Sequence, residues 1–345
     1  MRGDGADAMG EIGDRIIAVT GANGFVGRAC VAEARRRGHP VLALCRSAPL
    51  PEWEADAGVT VARIDLSTDG DRLPALLAPV EALIHAAAFM GDSPEVLARD
   101  TLAATGAVLA ACRAADIRLV MISSLAVYDT DALSPGDAVT EASPLIALAP
   151  DALDQPEAYL RSVRDPYAGA KRLQEAMMAQ HGGAEGSWIL RSGAIWGPGR
   201  SWHALQGFWA SKLFVTIGSD GELPLAHVDH VARVAVGCAQ TAPQGESVLN
   251  VFDEDRPTRA RFLTAHRRCY GWPRLNVTVP YGAWLALVRL LKPMANRLPG
   301  LFREPILRAR MMPLRYPNTA LRSAFPGEDA DTFEGLMART REAET

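Results

Sequence analysis

The segment VTGANGFVGRA, Val19–Ala29, decides the fold of this chain. It ends a short apolar run, Arg15–Thr20, that is typical of a buried parallel strand, and it opens a helical stretch over about Phe25–Arg37. The segment has three glycines in the spacing GxxGxxG, at Gly21, Gly24 and Gly27. Such glycines allow a tight turn, close approach of the backbone to a pyrophosphate and close packing of helix on strand. We therefore predict a loop that binds the phosphates of a dinucleotide.

Strands and helices alternate beyond this loop for about 175 residues, which is typical of a parallel sheet. Further short apolar runs predict strands, at Pro40–Cys45, Val59–Ile64, Glu81–Ala88, Ile117–Ser124 and Ser187–Ser192. Helical patterns lie between them, one of them over about Pro94–Ala115. The sequence therefore predicts an α/β fold of the Rossmann type, in which helices cover both faces of a doubly wound parallel sheet.

The alternation stops after Arg191, where loops rich in glycine, proline and tryptophan begin. We predict a dinucleotide-binding domain over residues 15–190, with a return segment at about 228–252. Residues 191–227 and 253–345 would form a smaller substrate-binding lobe. The polar, glycine-rich residues 1–14 lack the apolar core of a signal peptide and are expected to be a disordered tail.

Composition excludes several classes of protein. The net charge of −4 gives no electrostatic reason to expect a nucleic-acid partner. The apolar stretch Tyr281–Lys292 is too short to span a membrane, so we expect a buried or pocket-lining helix there. Five scattered cysteines without CxxC fit free thiols in a reducing compartment, which predicts a cytoplasmic protein. The histidines show no ligand spacing, and no metal is predicted.

One later segment, DPYAGAKRLQEA (Asp165–Ala176), places Tyr167 four residues before Lys171. The chain contains only three lysines, and residues four apart share a face of a helix. The pair could act at one site, as an acid and the cation that tunes it. The alternative is a surface helix with an aromatic residue on its inner edge and a solvated lysine outside.

The end of the second predicted strand bears on the choice of cofactor. A carboxylate there would bind the ribose 2′-hydroxyl of NAD, whereas an arginine suits the 2′-phosphate of NADP. The strand ends in Cys45, which Arg46 follows, and no acid adjoins them to repel a phosphate. The sequence therefore favours NADP over NAD.

Taken together, these residues resemble the extended short-chain dehydrogenase/reductase family, and the resemblance covers most of the chain. TGANGFVG is similar to the family's nucleotide loop, YAGAK to its YxxxK, ISSLAVY to its serine strand, and LRSGAIWGPG and HVDHVA to its later landmarks. Within the family, the sequence most resembles the branches that contain hydroxysteroid dehydrogenases and dihydroflavonol reductases. It implies cofactor contacts at Gly21, Asn23, Gly24, Phe25, Val26, Gly27, Asp65, Leu66, Ala86, Ala87, Ala88, Tyr167, Lys171, Ser192, Ala194 and Ile195.

The resemblance also implies three catalytic residues. Tyr167 would be the acid and base, Lys171 would tune it and anchor the ribose, and Ser124 would position the substrate. A lysine ammonium nearby should lower the pKa of the tyrosine, which is ordinarily near 10. A proton donor works best when its pKa approaches the working pH.

Three features depart from the family pattern. Thr101 stands where the family often has an asparagine in the helix after the fourth strand. A long insert, about Leu133–Arg164, separates Ser124 from Tyr167 and could be a lid or an interface element. His230 replaces a common aspartate and is expected to be a helix-start or loop residue rather than a ligand.

The substrate is less well defined. Members that act on nucleotide sugars tend to have an asparagine where Ala194 stands, and an arginine shortly before HVD, where this chain has none. Trp196 and Trp202 are expected to contact the substrate with Ser124, which suggests a neutral or hydrophobic carbonyl or alcohol. The alternatives are a nucleotide-sugar epimerase and a non-catalytic NADP-sensing protein. The family also implies a homodimer, formed by the helices near Pro94–Ala115 and Pro166–Gln180.

Overall fold

The computed structural model describes residues 15–181, 186–219, 221–243, 247–298, 300–327 and 329–345, so the predicted tail lies outside the described residues. The strands are β1 (Ile16–Thr20), β2 (Val41–Cys45), β3 (Val59–Arg63), β4 (Val80–His85), β5 (Arg118–Ser124), β6 (Trp188–Ser192), β7 (Ala194–Trp196), β8 (Phe208–Ala210), β9 (Leu213–Ile217), β10 (Leu225–His227), β11 (Val248–Val251) and β12 (Asn276–Val279). The helices are α1 (Phe25–Arg36), α2 (Leu73–Leu77), α3 (Pro94–Leu97), α4 (Ala104–Ala114), α5 (Pro156–Ser162), α6 (Pro166–His181), α7 (Val228–Gln240), α8 (Arg259–Tyr270), α9 (Tyr281–Leu290), α10 (Glu304–Met311), α11 (Thr319–Ala324) and α12 (Phe333–Glu342).

Seven strands form one parallel sheet in the order β3-β2-β1-β4-β5-β6-β11. The direction of winding reverses between β1 and β4, and ligands of such folds bind at the carboxyl ends of the strands near this point. Adjacent residues of β4 show why the sheet needs cover on both sides: Leu83 and Ile84 are both fully buried, in different core clusters. The predicted Rossmann fold is confirmed.

Helices pack on both faces of the sheet. On one face α1 packs against α7, where Val31 and Val231 are buried in the same cluster. On the other face α2 and α4 pack together, and Leu77 and Val108 are fully buried there. Burial of each such side chain stabilises the fold by roughly 1.5–3 kcal/mol.

The strands outside the large sheet form two smaller sheets. β7 pairs with β10, and β9 pairs with both β8 and β12. The predicted helix at Tyr281–Lys292 is α9, whose Trp284 and Val288 are buried but whose Leu290 is 77% exposed. Within the described ranges, every helix is too short or too polar to cross a bilayer.

The insert at about Leu133–Arg164 does two things in the structure. Its helix α5 packs on α3 and α6, where Leu160 joins Leu97 and Leu173 in one buried cluster. Other insert residues, Val139 and Ile146 among them, line the main cavity. The insert therefore covers part of the two helices that the family resemblance assigns to a dimer contact.

Candidate active site

A cavity of about 1050 Å³ lies at the carboxyl edge of the large sheet. Its walls come from the loop between β1 and α1, the ends of β4, β5 and β6, the start of α6, the insert and α10. Twelve of the residues predicted to contact the cofactor line it: Gly21, Gly24, Phe25, Val26, Gly27, Ala86, Ala88, Tyr167, Lys171, Ser192, Ala194 and Ile195. Ser124 lines the same cavity.

The glycine loop packs tightly on itself and on the segment after β4, at positions where a side chain would not fit. Gly21 has a φ of +60°, and a Cβ there would lie 2.9 Å from the Cα of Ala87. A Cβ on Gly27 would lie 2.1 Å from the carbonyl oxygen of Gly21. Helix α1 begins after Gly24 without a side-chain cap, so its first N–H groups are available to phosphate oxygens. These residues fit a dinucleotide pyrophosphate.

Another cavity-lining residue also fits a bound cofactor. Ser192, at the end of β6, is buried, yet its hydroxyl has no hydrogen-bond partner among the described residues. Buried polar groups are nearly always satisfied, so an unpaired hydroxyl in a cavity wall suits a ligand.

Five predicted cofactor residues do not line the cavity: Asn23, Arg46, Asp65, Leu66 and Ala87. Asn23 instead donates to the hydroxyl of Ser47 at 2.7 Å, which ties the glycine loop to the segment after β2. The N–H of Ala87 donates to the hydroxyl of Thr20 at 3.3 Å. Both residues therefore hold the loop in place from outside the cavity.

The environment of Arg46 corrects a premise of the sequence analysis. Its guanidinium lies 3.0 Å from a carboxylate oxygen of Asp100 and 4.0 Å from one of Asp65. Acids are therefore close to Arg46 in space although none adjoins it in sequence. Asp65 itself has a lowered pKa, because it accepts hydrogen bonds from the side chain and backbone of Ser67. This corner can present either an arginine or carboxylates to an adenosine ribose.

The three predicted catalytic residues are close together. Tyr167, in the first turn of α6, lies near Ser124 at the end of β5, and the interaction between their side chains lowers the pKa of the phenol. The ammonium of Lys171 lies 6.0 Å from the centre of the Tyr167 ring and donates to the carbonyl oxygen of Ile122 at 2.9 Å. The helix spacing and the strand end thus bring a hydroxyl, a phenol and a cation to one cavity.

The pKa values of this pair differ from the expectation. Burial raises the pKa of Tyr167 to about 12, and the interaction with Ser124 offsets only part of this rise. Burial also lowers the pKa of Lys171 to about 8, although the carboxylate of Glu175 acts to raise it. The prediction of a lowered tyrosine pKa is therefore wrong, because burial is the largest effect on Tyr167 and the carboxylate of Asp165 raises the pKa further.

A buried ionic network adjoins Lys171. Glu175 forms a two-pronged ion pair with Arg191, with distances of 3.0 and 2.8 Å, and accepts a hydrogen bond from Ser123 at 2.6 Å. Arg191 also donates to the hydroxyl of Tyr128 at 3.0 Å. The network joins α6 to β5 and β6 beneath the cavity, and it gives Ser123 a structural contact rather than a place beside Tyr167.

A second polar network braces the end of β4. His85 hydrogen-bonds to Thr20 at 2.8 Å and to Thr105 at 3.1 Å, and burial lowers its pKa to about 3, so its ring is neutral. Thr101 lies in a π-helical turn over Ala98–Ala103, and its hydroxyl accepts from the N–H of Phe89 at 2.9 Å. Thr101 therefore holds the cavity-lining segment after β4, although it differs from the family's asparagine.

The aromatic residues expected at the substrate are divided between cavity and core. Trp202 lines the cavity and packs its ring against Trp272 at 4.4 Å. Trp196 is only 1% exposed, does not line the cavity, and donates to Asp253 at 2.8 Å. Its predicted substrate contact is wrong, because β7 directs this side chain into a core cluster with Phe333. Helix α9, expected to be buried or pocket-lining, buries Trp284 and Val288 but does not line the cavity, whose wall includes α10.

Two buried groups near the site depend on the fold rather than on local sequence. Arg259, the first residue of α8, is buried in the cavity wall, and nothing in the spacing of the arginines in α8 distinguishes it. His230 lies in the first turn of α7, as expected, but it is also buried, 3.4 Å from Asp253 and 3.4 Å from Asp329. These three side chains could surround a cation, but Asp253 and Asp329 already accept hydrogen bonds from backbone N–H groups.

Comparison with known families decides the identity. The model of the "NAD dependent epimerase/dehydratase family" matches residues 17–251, which hold the glycine loop, Ser124, Tyr167 and Lys171. The chain belongs to this family. It is an NAD(P)-dependent enzyme of the extended short-chain dehydrogenase/reductase type, as the sequence resemblance predicted.

Individual relatives span most of the chain. A Streptomyces protein described as a 3-diazoavenalumate denitrifying reductase is 29% identical over 268 residues, which are 74% of this chain and 82% of the relative. The structure of MoeE5 in complex with UDP-glucuronic acid and NAD superposes with a TM-score of 0.65 at 20% identity, covering 94% of this chain and 97% of MoeE5. UDP-glucuronic acid 4-epimerase from Bacillus cereus in complex with NAD gives 0.66 at 16% identity, with coverages of 95% and 97%. At such identities these two structures show likeness of fold alone.

Proposed function

We propose that this enzyme interconverts a carbonyl and an alcohol on a largely apolar small molecule. In the direction of reduction, the carbonyl compound, reduced NAD(P) and one proton give the alcohol and oxidised NAD(P). The observation that carries the proposal is the convergence of Ser124, Tyr167 and Lys171 on the cavity that the glycine loop also lines. The denitrifying reductase named among the relatives supports a reductive activity, though its name gives a diazo compound rather than a carbonyl as the substrate.

The chain's own residues would divide the work as follows. Bound NAD(P)H supplies the hydride that forms the new C–H bond. Ser124 donates a hydrogen bond to the substrate oxygen and fixes it near Tyr167. Tyr167 gives its phenolic proton to that oxygen as the carbonyl π bond breaks, and the ammonium of Lys171 stabilises the phenolate that remains. Water then returns a proton to Tyr167.

We propose that the glycine loop holds the pyrophosphate, that Ser192, Ala194 and Ile195 lie beside the nicotinamide, and that NADP is preferred. Arg46 supports this preference even though it pairs with Asp100. Its side chain is 63% exposed, and exposed ion pairs contribute roughly 0–1 kcal/mol. A charge-assisted bond to a 2′-phosphate contributes about 1.5–3 kcal/mol, so the phosphate can displace Asp100.

The substrate side of the cavity supports the proposed lobe at 191–227 and 253–345. These two segments contribute Trp202, Leu205, Ile306, Met312 and Leu314 to the cavity wall. Ser124 and Trp202 are proposed substrate contacts. The five cysteines are free, and all but Cys269 are buried, which supports a reducing, cytoplasmic setting.

A second candidate function, nucleotide-sugar epimerisation, gains support from one observation. The sequence has no arginine shortly before HVD, which disfavours a nucleotide-sugar substrate. In the structure, however, Arg200, Arg259 and Arg310 line the cavity. Basic partners for a diphosphate are therefore present. The third alternative, a non-catalytic sensor, is set aside because the chain is an enzyme of this family.

The experiment that decides between the first two functions compares two substrate panels. Apolar aryl ketones are incubated with NADPH or NADH, and loss of the reduced-nicotinamide absorbance is followed. UDP-glucose and UDP-glucuronate are incubated with NAD, and epimers are sought by chromatography. Turnover of ketones alone supports the proposal; turnover of UDP-sugars alone replaces it with the second candidate.

A further inference from the structure

We propose that Arg259 binds a carboxylate carried by the substrate, in the part of the cavity wall that α8 and α10 form. This inference rests on the proposed function and narrows its substrate class. The substrate would have a carbonyl or alcohol at the reacting end, an apolar body and one carboxylate. This differs from the neutral or hydrophobic molecule that the sequence suggests.

Among the residues that the structure describes, neutral groups hold Arg259, which is a buried cation. Its residue is 3% exposed and lines the cavity. Its Nε donates to the carbonyl oxygen of Leu205 at 2.7 Å, and its Nη2 donates to that of Arg310 at 2.9 Å. Its Nη1 has no hydrogen-bond partner, and no carboxylate pairs with Arg259 within the described part of the chain.

A guanidinium in this state lacks a counter-ion. Burial lowers the pKa of Arg259 to about 10, so the group stays charged at neutral pH. A buried charge is costly unless an opposite charge accompanies it, and carbonyl oxygens orient a guanidinium without neutralising it. The two anchoring bonds fix the plane of the group and leave one nitrogen for a ligand, which is the arrangement that preorganised binding requires.

The neighbouring wall indicates what kind of anion would bind. Leu205, Met312 and Leu314 are apolar, and they line the cavity together with Tyr316. Burial lowers the pKa of His203, another lining residue, which favours its neutral ring, and its Nδ1 also has no partner among the described residues. One buried positive charge among apolar side chains matches one negative charge on an apolar molecule. Arg200 and Arg310 also line the cavity but are exposed, so Arg259 is the buried arginine of this wall.

The experiment measures binding of a matched pair of probes, so it does not depend on knowing the substrate. Cinnamate and cinnamamide have the same apolar body, and only cinnamate is an anion. Each is titrated calorimetrically into the full-length enzyme saturated with oxidised NADP. The parent should bind cinnamate about tenfold to a hundredfold more tightly than cinnamamide, the range for a hydrogen bond to a charged group.

Two variants then test whether Arg259 causes the preference for cinnamate over cinnamamide. Arg259→Gln should remove it, while the affinity for NADP and the melting temperature confirm that the variant is folded. Arg310→Gln is the matched control: it removes an exposed arginine of the same cavity and leaves intact the backbone carbonyl that holds Arg259, so the preference should remain. Should Arg259→Gln fail to fold, the comparison of the two probes on the parent still tests the inference.

Several results would overturn the inference. Equal affinities of the parent for the two probes, or a preference that survives in Arg259→Gln, exclude a carboxylate at Arg259. Tighter binding of UDP than of cinnamate, lost in Arg259→Gln, would make the ligand a diphosphate. Failure of the proposed function looks different: no ketone is reduced, yet the acid preference is intact.

Discussion

Lys171 holds its ammonium 6.0 Å from the centre of the Tyr167 ring. The hydrogen bond to Ile122 at 2.9 Å fixes this position, because it ties a long, flexible side chain to the rigid strand β5. The lysine is thus placed before any ligand arrives. Its proposed task is to stabilise the phenolate that forms when Tyr167 gives up its proton.

Removal of the lysine should therefore harm both binding and chemistry. Lys171→Ala is expected to lower the turnover of a ketone by more than Tyr167→Phe does, and to weaken NADP binding as well, because a cation and a ribose contact are both lost. Lys171→Arg should restore only part of the activity, since a planar guanidinium does not fit the position of a compact ammonium. Steady-state kinetics and cofactor titration measure the two effects separately. An arginine variant with parental turnover would contradict this account.

The pKa of Lys171 predicts how the activity depends on pH. Reduction needs both the ammonium of Lys171 and the neutral phenol of Tyr167. The pKa of about 12 keeps Tyr167 protonated, whereas Lys171 loses its proton as the pH rises through about 8. Hence kcat/KM for ketone reduction should be level below that pH and fall above it.

Glu175 provides the control for this profile. Its carboxylate favours the charged form of Lys171, so Glu175→Gln should move the falling limb to lower pH. The same variant breaks the buried ion pair with Arg191 and should destabilise the fold by about 3–5 kcal/mol, which denaturant unfolding measures. If the fall in kcat/KM stays at its parental pH in Glu175→Gln, the group that titrates is not Lys171.

Cofactor choice should depend on whether Arg46 binds the 2′-phosphate of NADP or stays paired with Asp100. We expect the parent to bind NADP about tenfold more tightly than NAD or better, and Arg46→Ala to narrow the gap by about 1–3 kcal/mol. Asp100→Asn should widen it, because a carboxylate that competes with the phosphate for Arg46 is removed. Fluorescence titration of both cofactors measures the gap. A parent that prefers NAD would refute this assignment.

The homodimer predicted from the family resemblance stays a prediction. In α4, the small side chains Ala103 (just before the helix), Ala107 and Ala110 lie at spacings that share one face, and the first and last of them are exposed. Helix α5 covers other parts of α3 and α6. We expect light scattering at micromolar concentration to give the mass of two chains. The mass of one chain would contradict the predicted homodimer.

Features set by local spacing were predictable from the sequence. The glycine loop depends on a turn within a few residues, and Gly21 takes the positive φ that such a turn requires. The predicted strands match β1 to β6 to within a few residues, because buried strands read as continuous apolar runs. The spacing of Tyr167 and Lys171 likewise placed both on one helix.

Features that depend on distant residues were not predictable. Arg46 meets Asp100 across 54 positions of sequence, so no local pattern could reveal the acid beside it. Trp196 looked like a pocket residue, but the direction of β7 turns it towards Asp253. Arg259 occupies a helix rich in arginine, and only its burial and its carbonyl partners distinguish it from the others.

The central claim is that Tyr167 donates the proton in a carbonyl reduction, and Tyr167→Phe tests it most directly. The phenylalanine keeps the ring and its packing but removes the hydroxyl that interacts with Ser124. The measurement is kcat for the best ketone of the panel, together with NADP affinity as the control for an intact site. We predict a loss of about 10²–10⁴ in kcat with NADP affinity within a few-fold of the parent. Near-parental turnover in Tyr167→Phe would place the proton donor elsewhere and contradict the account.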